Sequence, residues 1–302
     1  MKKQLLLAVS LLAVFIGAKG QKPDTAWLMV HYKFTQVRDT TNREHPYTEN
    51  MVLFVGKSAS NYRSYDGLIA DRQFKKAYAE AVASSPDGQP NINRKGVGTN
   101  IQYFQYPGER KLFTRELSLL DQYSVEDTLP VIAWKIRGDT ATFGGLHCQK
   151  ATCHFKGRDY VAWFCPDLPV HSGPWKLNGL PGVIVDAHDT RNDVIFAFDG
   201  VERTVSSPAP DPATANTDEK KVDFITRGLD DDPNMIKPPA WLQKTTRQAF
   251  DKAREAFRKN PEAAAQAANA ANMQDGGNRP ILKMNHGTPP INNNPIELPE
   301  QQ

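Results

Sequence analysis

Residues 146–165 read LHCQKATCHFKGRDYVAWFC. Two strand-like runs, 146–155 and 158–165, flank Lys156-Gly157. A two-residue connection ending in glycine is the signal of a tight antiparallel hairpin. That turn sets Phe155 against Arg158, Cys153 against Tyr160 and Lys150 against Trp163. Cys148 then faces Cys165 at a non-hydrogen-bonded position, where Cα atoms approach to about 4.5 Å, within disulfide range. The reading expects a Cys148–Cys165 bridge, with Cys153 left free or buried. A Cys148–Cys153 link would need a bulge or turn near Lys150, because the strand between them spans about 16 Å when straight.

Downstream, residues 173–189 read GPWKLNGLPGVIVDAHD. Pro181 and Gly182 suit the two central positions of a type II turn over 180–183, which launches a buried strand over 183–187. Upstream, 26–37 alternates. Leu28, Val30, Tyr32 and Phe34 point one way, and Met29, His31 and Lys33 the other. Further strands are read at 51–55, 61–65, 101–106, 111–117, 131–136 and 194–198. The gaps between them are short and hold Pro107-Gly108, Gly138-Asp139 and Gly144-Gly145. Parallel pairing needs a dozen or more connecting residues, so the strands should pair antiparallel.

The expected fold is therefore mainly β: a curved or partly closed antiparallel sheet over 21–205. A helix-loop insertion at 71–98 interrupts it, with Phe74, Tyr78 and Ala81 at helical spacing. A linker at 206–218 follows. Helices at 245–260 and 262–271, joined or kinked at Pro261, form a C-terminal helical appendage, and an irregular tail fills 275–302.

The first twenty residues read as a secretory signal. Lys2 and Lys3 precede an apolar run over 5–16, and Ala18-Lys19-Gly20 supplies the small residues of a cleavage site. Cleavage is expected after Gly20, and no cysteine follows it to carry a lipid. The expected location is the periplasm. The segment holds Lys2, Lys3 and Lys19 and no acid, so its removal takes the formal net charge of +3 to zero. No basic excess remains to support nucleic-acid binding. No later stretch carries the ~20 apolar residues of a membrane helix.

Several of these segments occur together in one known family. Gly173-Pro174 followed by Gly179-Leu180-Pro181-Gly182 resembles the signature of the GLPGLI family of Bacteroidota, with Val183-Ile184 at its last two positions. Cys148-Gln149-Lys150-Ala151, Gly157-Arg158-Asp159-Tyr160, Ala162-Trp163-Phe164 and the closing Asn294-Pro295-Ile296-Glu297-Leu298 follow the family's order. The resemblance implies an exported envelope protein without an established activity. It also implies an association with TonB-dependent outer-membrane receptors.

The chain lacks the G-x-S-x-G, H-E-x-x-H, P-loop, G-x-G-x-x-G and C-x-x-C motifs. Asp186 and His188 share a strand face, and His171-Ser172 adjoin, but neither arrangement supplies a catalytic set. No cofactor is expected. His147-Cys148 and Cys153-His154 look like a mirrored metal motif, yet alternation and a separation of about 20 Å keep the two halves apart. Trp163 and Trp175 are either core residues or the lining of a ligand or partner surface. Three readings follow: a binding or accessory protein of the envelope; an unrecognised hydrolase of peptide or glycan using His188, Asp186 or His171; and a structural envelope protein whose tail adds to a partner's sheet edge.

Overall fold

The computed structural model describes residues 24–85, 92, 94–118, 121–204, 232–274 and 291–300. The expected signal segment, the linker 206–218 and the tail over 275–290 lie outside them.

Among the described residues twelve strands form one sheet. In chain order they are β2 (Leu28–Gln36), β3 (Tyr47–Val55), β4 (Ser60–Ser64), β5 (Gln102–Tyr106), β6 (Lys111–Ser118), β7 (Asp121–Thr128), β8 (Lys135–Phe143), β9 (Leu146–Phe155), β10 (Arg158–Cys165), β11 (Val183–Asp189), β12 (Val194–Arg203) and β14 (Gln243–Thr246). Their order across the sheet is β14-β7-β6-β5-β4-β3-β2-β12-β11-β10-β9-β8. Neighbours pair antiparallel except β14, which runs parallel to β7. The sheet does not close into a barrel. Two short strands, β1 (Asp24–Thr25) and β13 (Met235–Ile236), pair beside it.

Both faces of β3 are covered, which explains its unbroken apolar run. Met51, Leu53 and Val55 join the main core with Tyr32, Tyr62 and Phe196. Val52 and Phe54 face a second core with Phe104, Ile236 and Leu68 of α1 (Tyr65–Ser84). This helix starts six places before the expected position 71. Ser64 ends β4 and caps the helix, its side chain accepting from the Gly67 N–H at 2.9 Å. An N-cap serine satisfies a donor that the first turn otherwise leaves unpaired.

The cysteine hairpin has the expected register, with Arg158 opposite Phe155, Tyr160 opposite Cys153 and Trp163 opposite Lys150. Among the described residues the structure contains no bridge at disulfide distance, though the Cys148 and Cys165 thiols lie within hydrogen-bond reach of each other. Cys148, Cys153 and Cys165 are all free and buried. Burial pushes the Cys148 and Cys153 thiols up to about 12 and raises that of Cys165. At neutral pH they are protonated and behave as small apolar groups.

The signature turn is also corrected. Gly182 does not adopt positive φ, as a type II turn would require; Gly179 does, at 92°. The Gly182 N–H donates to the Leu180 carbonyl at 2.8 Å, closing a three-residue turn around Pro181. Glycine is needed at 182 for space, since a Cβ there would lie 2.1 Å from the Cys165 carbonyl oxygen. The β10–β11 loop can fold back onto its own hairpin only through this gap.

Two further expectations shift. A strand expected at 131–136 instead begins at Lys135 and passes through Gly138-Asp139 to Phe143, with a register break there. The polar strand β7 was not expected at all. Among the described residues the C-terminal helices are two, α2 (Arg247–Lys259) and α3 (Pro261–Gln274). They are anchored to the sheet: β14 adds a strand, Phe250 packs on Tyr123 at 5.5 Å, and Arg247 pairs with Glu116.

Replacing Gly182 by Ala should therefore lower stability by about 1–3 kcal/mol. Urea unfolding of the variant checks this; a midpoint equal to the parent's would refute the close approach.

Candidate functional site

Between β10 and β11 the chain crosses the inner face of the sheet and reaches β5. Gln105, fully buried, donates to the carbonyls of Gly173 at 3.2 Å, Trp175 at 2.9 Å and Leu177 at 3.4 Å. The Tyr32 hydroxyl donates to the Ile184 carbonyl at 2.6 Å. A buried loop carries backbone groups that must find partners, and these side chains supply them. Trp175, at the loop's centre, sits at φ 54° and is 2% exposed. A bulky residue in the left-handed region costs on the order of 1–2 kcal/mol. Burial of the indole against Phe155 at 5.6 Å and Tyr160 at 6.3 Å offsets that cost. Its N–H meets the Tyr103 oxygen.

Next to Trp175 the packing leaves a cavity of about 130 Å³. Phe34, Tyr62, Tyr103, Phe196 and Trp175 form its walls, and Ile296 its cover. Polar groups also line it, among them Glu49, Arg38 and the Tyr62 hydroxyl. Glu49, 4% exposed, accepts from the Tyr47 hydroxyl at 2.6 Å and the Thr99 N–H at 2.7 Å. The Arg38 guanidinium lies 3.4 Å from the Tyr47 ring centre. The Tyr62 hydroxyl is buried and has no hydrogen-bond partner. Burial, with Tyr32, Glu49 and Tyr103 nearby, holds the Tyr62 phenol well above its usual value, so it is a neutral donor. Gly98, at φ 69°, fixes Thr99 against this site, because a Cβ there would meet Glu49 and Ser64 at 2.3 Å.

The cover belongs to residues 291–300. One of the three readings has the tail reach a partner's sheet edge; its described part, 291–300, lies on its own chain. Arg158, 3% exposed, binds it with most of its donors: Nη2 to Asn294 Oδ1 at 2.6 Å and the Pro295 carbonyl at 2.7 Å, and Nε to the Ile296 carbonyl at 3.0 Å. Its Nη1 holds Asp189 at 2.7 Å. Asn294 bonds the Val37 and Arg38 carbonyls at 2.8 and 3.2 Å. Lys176 pairs with Glu297 at 2.5 Å, and His154 reaches Glu300 at 2.9 Å.

The residues read from the sequence fall in different places. Trp175 lines the cavity. Trp163 does not; it packs on Phe143 at 5.9 Å with the Lys150 ammonium 6.0 Å from its ring centre. Gly173 and Leu180 are buried in the loop, as are Pro174 and Gly182, while Gly179 and Pro181 are exposed. Asp186 accepts from the Phe198 N–H at 3.0 Å and stands 3.9 Å from His188. His171 is exposed and Ser172 buried, so they do not form a pair. Among the described residues no three or more His, Cys, Asp or Glu side chains gather as a metal would need, and no helix is long and apolar enough to cross a membrane. Tyr62, Tyr103, Glu49 and Ile296 were missed as site residues. They come from separate strands and from the tail, and no local pattern joins them.

A family described as Protein of unknown function (Porph_ging) matches residues 156–186. That stretch covers β10, the loop and the start of β11, and contains the Gly-Leu-Pro-Gly segment. No curated protein matches the chain. Solved structures of PNGF-II in two crystal forms align at TM-scores of 0.46 and 0.45 with 9% and 10% identity, over 74% of this chain and 32% of that one. The chain thus spans about a third of the length of PNGF-II, and a likeness this weak carries no argument about activity.

Attachment of the 291–300 segment should depend on pH at both ends. Burial raises the Glu297 carboxyl, but Lys176 and Lys156 outweigh burial and hold it below its ordinary 4.5. Its contribution is present above that ordinary value and is lost as pH falls through the lowered one. Hydrogen bonds to Asp159 and Glu300 raise His154 above its ordinary 6.5. This contribution is complete below 6.5 and is lost as pH rises through the raised value. Hydrogen-exchange protection of the Leu298 amide, which donates to the Lys156 carbonyl, should therefore peak between pH 4.5 and 6.5. A flat protection profile would contradict this.

Proposed function

We propose that this chain is an exported envelope protein that binds a small ring-bearing ligand in the cavity beneath Ile296, as a binding or accessory partner of outer-membrane, TonB-dependent transport. The binding half rests on one observation: a buried, unpartnered Tyr62 hydroxyl in a cavity walled by aromatic rings. A buried polar atom without a partner costs about 1–3 kcal/mol. A ligand acceptor at that oxygen would recover the lost hydrogen bond, while the rings hold its apolar body. The matched family, of unknown function, is compatible with an envelope role, and the signal-like first twenty residues support export.

On this reading Tyr62→Phe should leave the fold as stable as the parent or up to about 1 kcal/mol more stable, because it removes an unsatisfied group. The same change should weaken binding of a phenol-sized acceptor probe about tenfold, the equivalent of one hydrogen bond. Calorimetric titration with p-cresol and benzamide, beside thermal unfolding, reads both effects. Equal affinity in parent and variant, or no saturable binding, would sink the proposal. Cell fractionation should find the chain in the periplasm cut after Gly20, and purification from envelope extracts should recover an outer-membrane receptor. A solitary or cytoplasmic chain would remove the transport half.

A further inference from the structure

Thr99 separates the aromatic cavity from a second cleft of opposite chemistry, about 190 Å³ in volume, where α1 leaves β4. Four cationic residues line it: Arg63 of β4, Arg115 of β6, and Arg94 and Lys95 from the segment after α1. Asp71 is the one carboxylate among the described lining residues, and it is engaged by Arg94 at 2.5 Å.

Strand register explains why the two framework arginines converge. Tyr62 and Tyr103 are cross-strand partners facing the aromatic cavity. Their neighbours Arg63 and Gln102 must therefore turn to the opposite face. Gln102 pairs with Arg115, which places Arg115 in the same row. The two arginines are rooted two strands apart, about 10 Å, with the Gln102 amide between them. Arg115 is held in place, its Nε donating to Gln122 Oε1 at 2.7 Å. Within the cleft Gln102 is 6% and Ser64 4% exposed, while Lys95, Gly96, Val97 and Asn100 leave it open to solvent on one side.

We propose that this cleft binds the phosphate or sulfate ester of a small polyol. Paired guanidiniums present fork-shaped donors that fit tetrahedral oxyanions. Asn100, Gln102 and Gln122 supply amides for the polyol hydroxyls. The volume suits an organic ester, since a cavity of about 150 Å³ already holds benzene. The site is independent of the aromatic cavity and does not require that cavity to bind anything.

Calorimetric titration of the full chain at constant ionic strength tests this, using glucose phosphate, glucose sulfate, inorganic phosphate and glucose as probes. The two esters should bind at least tenfold tighter than inorganic phosphate or glucose. Arg63→Gln and Arg115→Gln should each weaken ester binding tenfold or more, whereas Lys244→Gln, on exposed β14, should not. Thermal unfolding without ligand identifies any arginine variant that fails to fold; Gln102→Leu then serves in its place, with the same expected loss. No saturable binding, equal affinity for ester and inorganic phosphate, or affinity unchanged in the variants would each overturn the proposal.

Discussion

A buried guanidinium holds this molecule together at its most distant joins. Arg158 stands at the start of β10 with almost no access to water, and its donors reach Asp189 at the end of β11 and three successive residues of the 291–300 segment. A buried charge is tolerated only when its partners surround it, and removing one partner typically costs about 3–5 kcal/mol. Asp189 is tied in turn to the backbone of Asp193 and Val194, so the β11–β12 turn depends on the same charge. The C-terminal segment is thus part of the fold, and Ile296 stays over the aromatic cavity because Arg158 grips the residues beside it.

The inner face of the sheet is filled by its own loop. Gln105 and Tyr32 satisfy backbone carbonyls that would otherwise be buried unpaired, and Trp175 supplies the apolar bulk at the cost of a left-handed backbone. The filling stops short of Tyr62. Strain at Trp175 and an unpaired hydroxyl at Tyr62 lie on the same cavity, and such local violations concentrate where proteins bind. Beyond Thr99 the β4–β6 strands turn arginines outward, so the two faces of one set of strands present an apolar slot and a cationic cleft.

Local features were legible in the sequence to the extent that their causes are local. The β9–β10 register followed from Lys156-Gly157 alone, because a two-residue turn fixes every pair beyond it. β7 was not legible: its sequence is polar, and Val125 and Ser124 are its only buried residues. Gly182 was misread because Pro-Gly fits a type II turn by propensity, whereas its actual constraint is the Cys165 carbonyl, seventeen places earlier in the chain. Facing positions for Cys148 and Cys165 were readable; bonding depends in addition on how the two thiols are oriented, which adjacency in a register does not fix. Of the cavity, only Trp175 was legible; Tyr62, Glu49 and Ile296 meet through strand order.

The sequence by itself determined that this is an antiparallel β protein, where its best hairpin pairs, and that a proline-glycine corner precedes a buried strand, because alternation and turn chemistry act over a few neighbouring residues. Only the tertiary structure decided that the loop fills the sheet's inner face, that the last residues cover a cavity, and that arginines from β4 and β6 converge. Those outcomes depend on which strands become neighbours and on what the interior leaves unpaired, and both are properties of the whole packed chain.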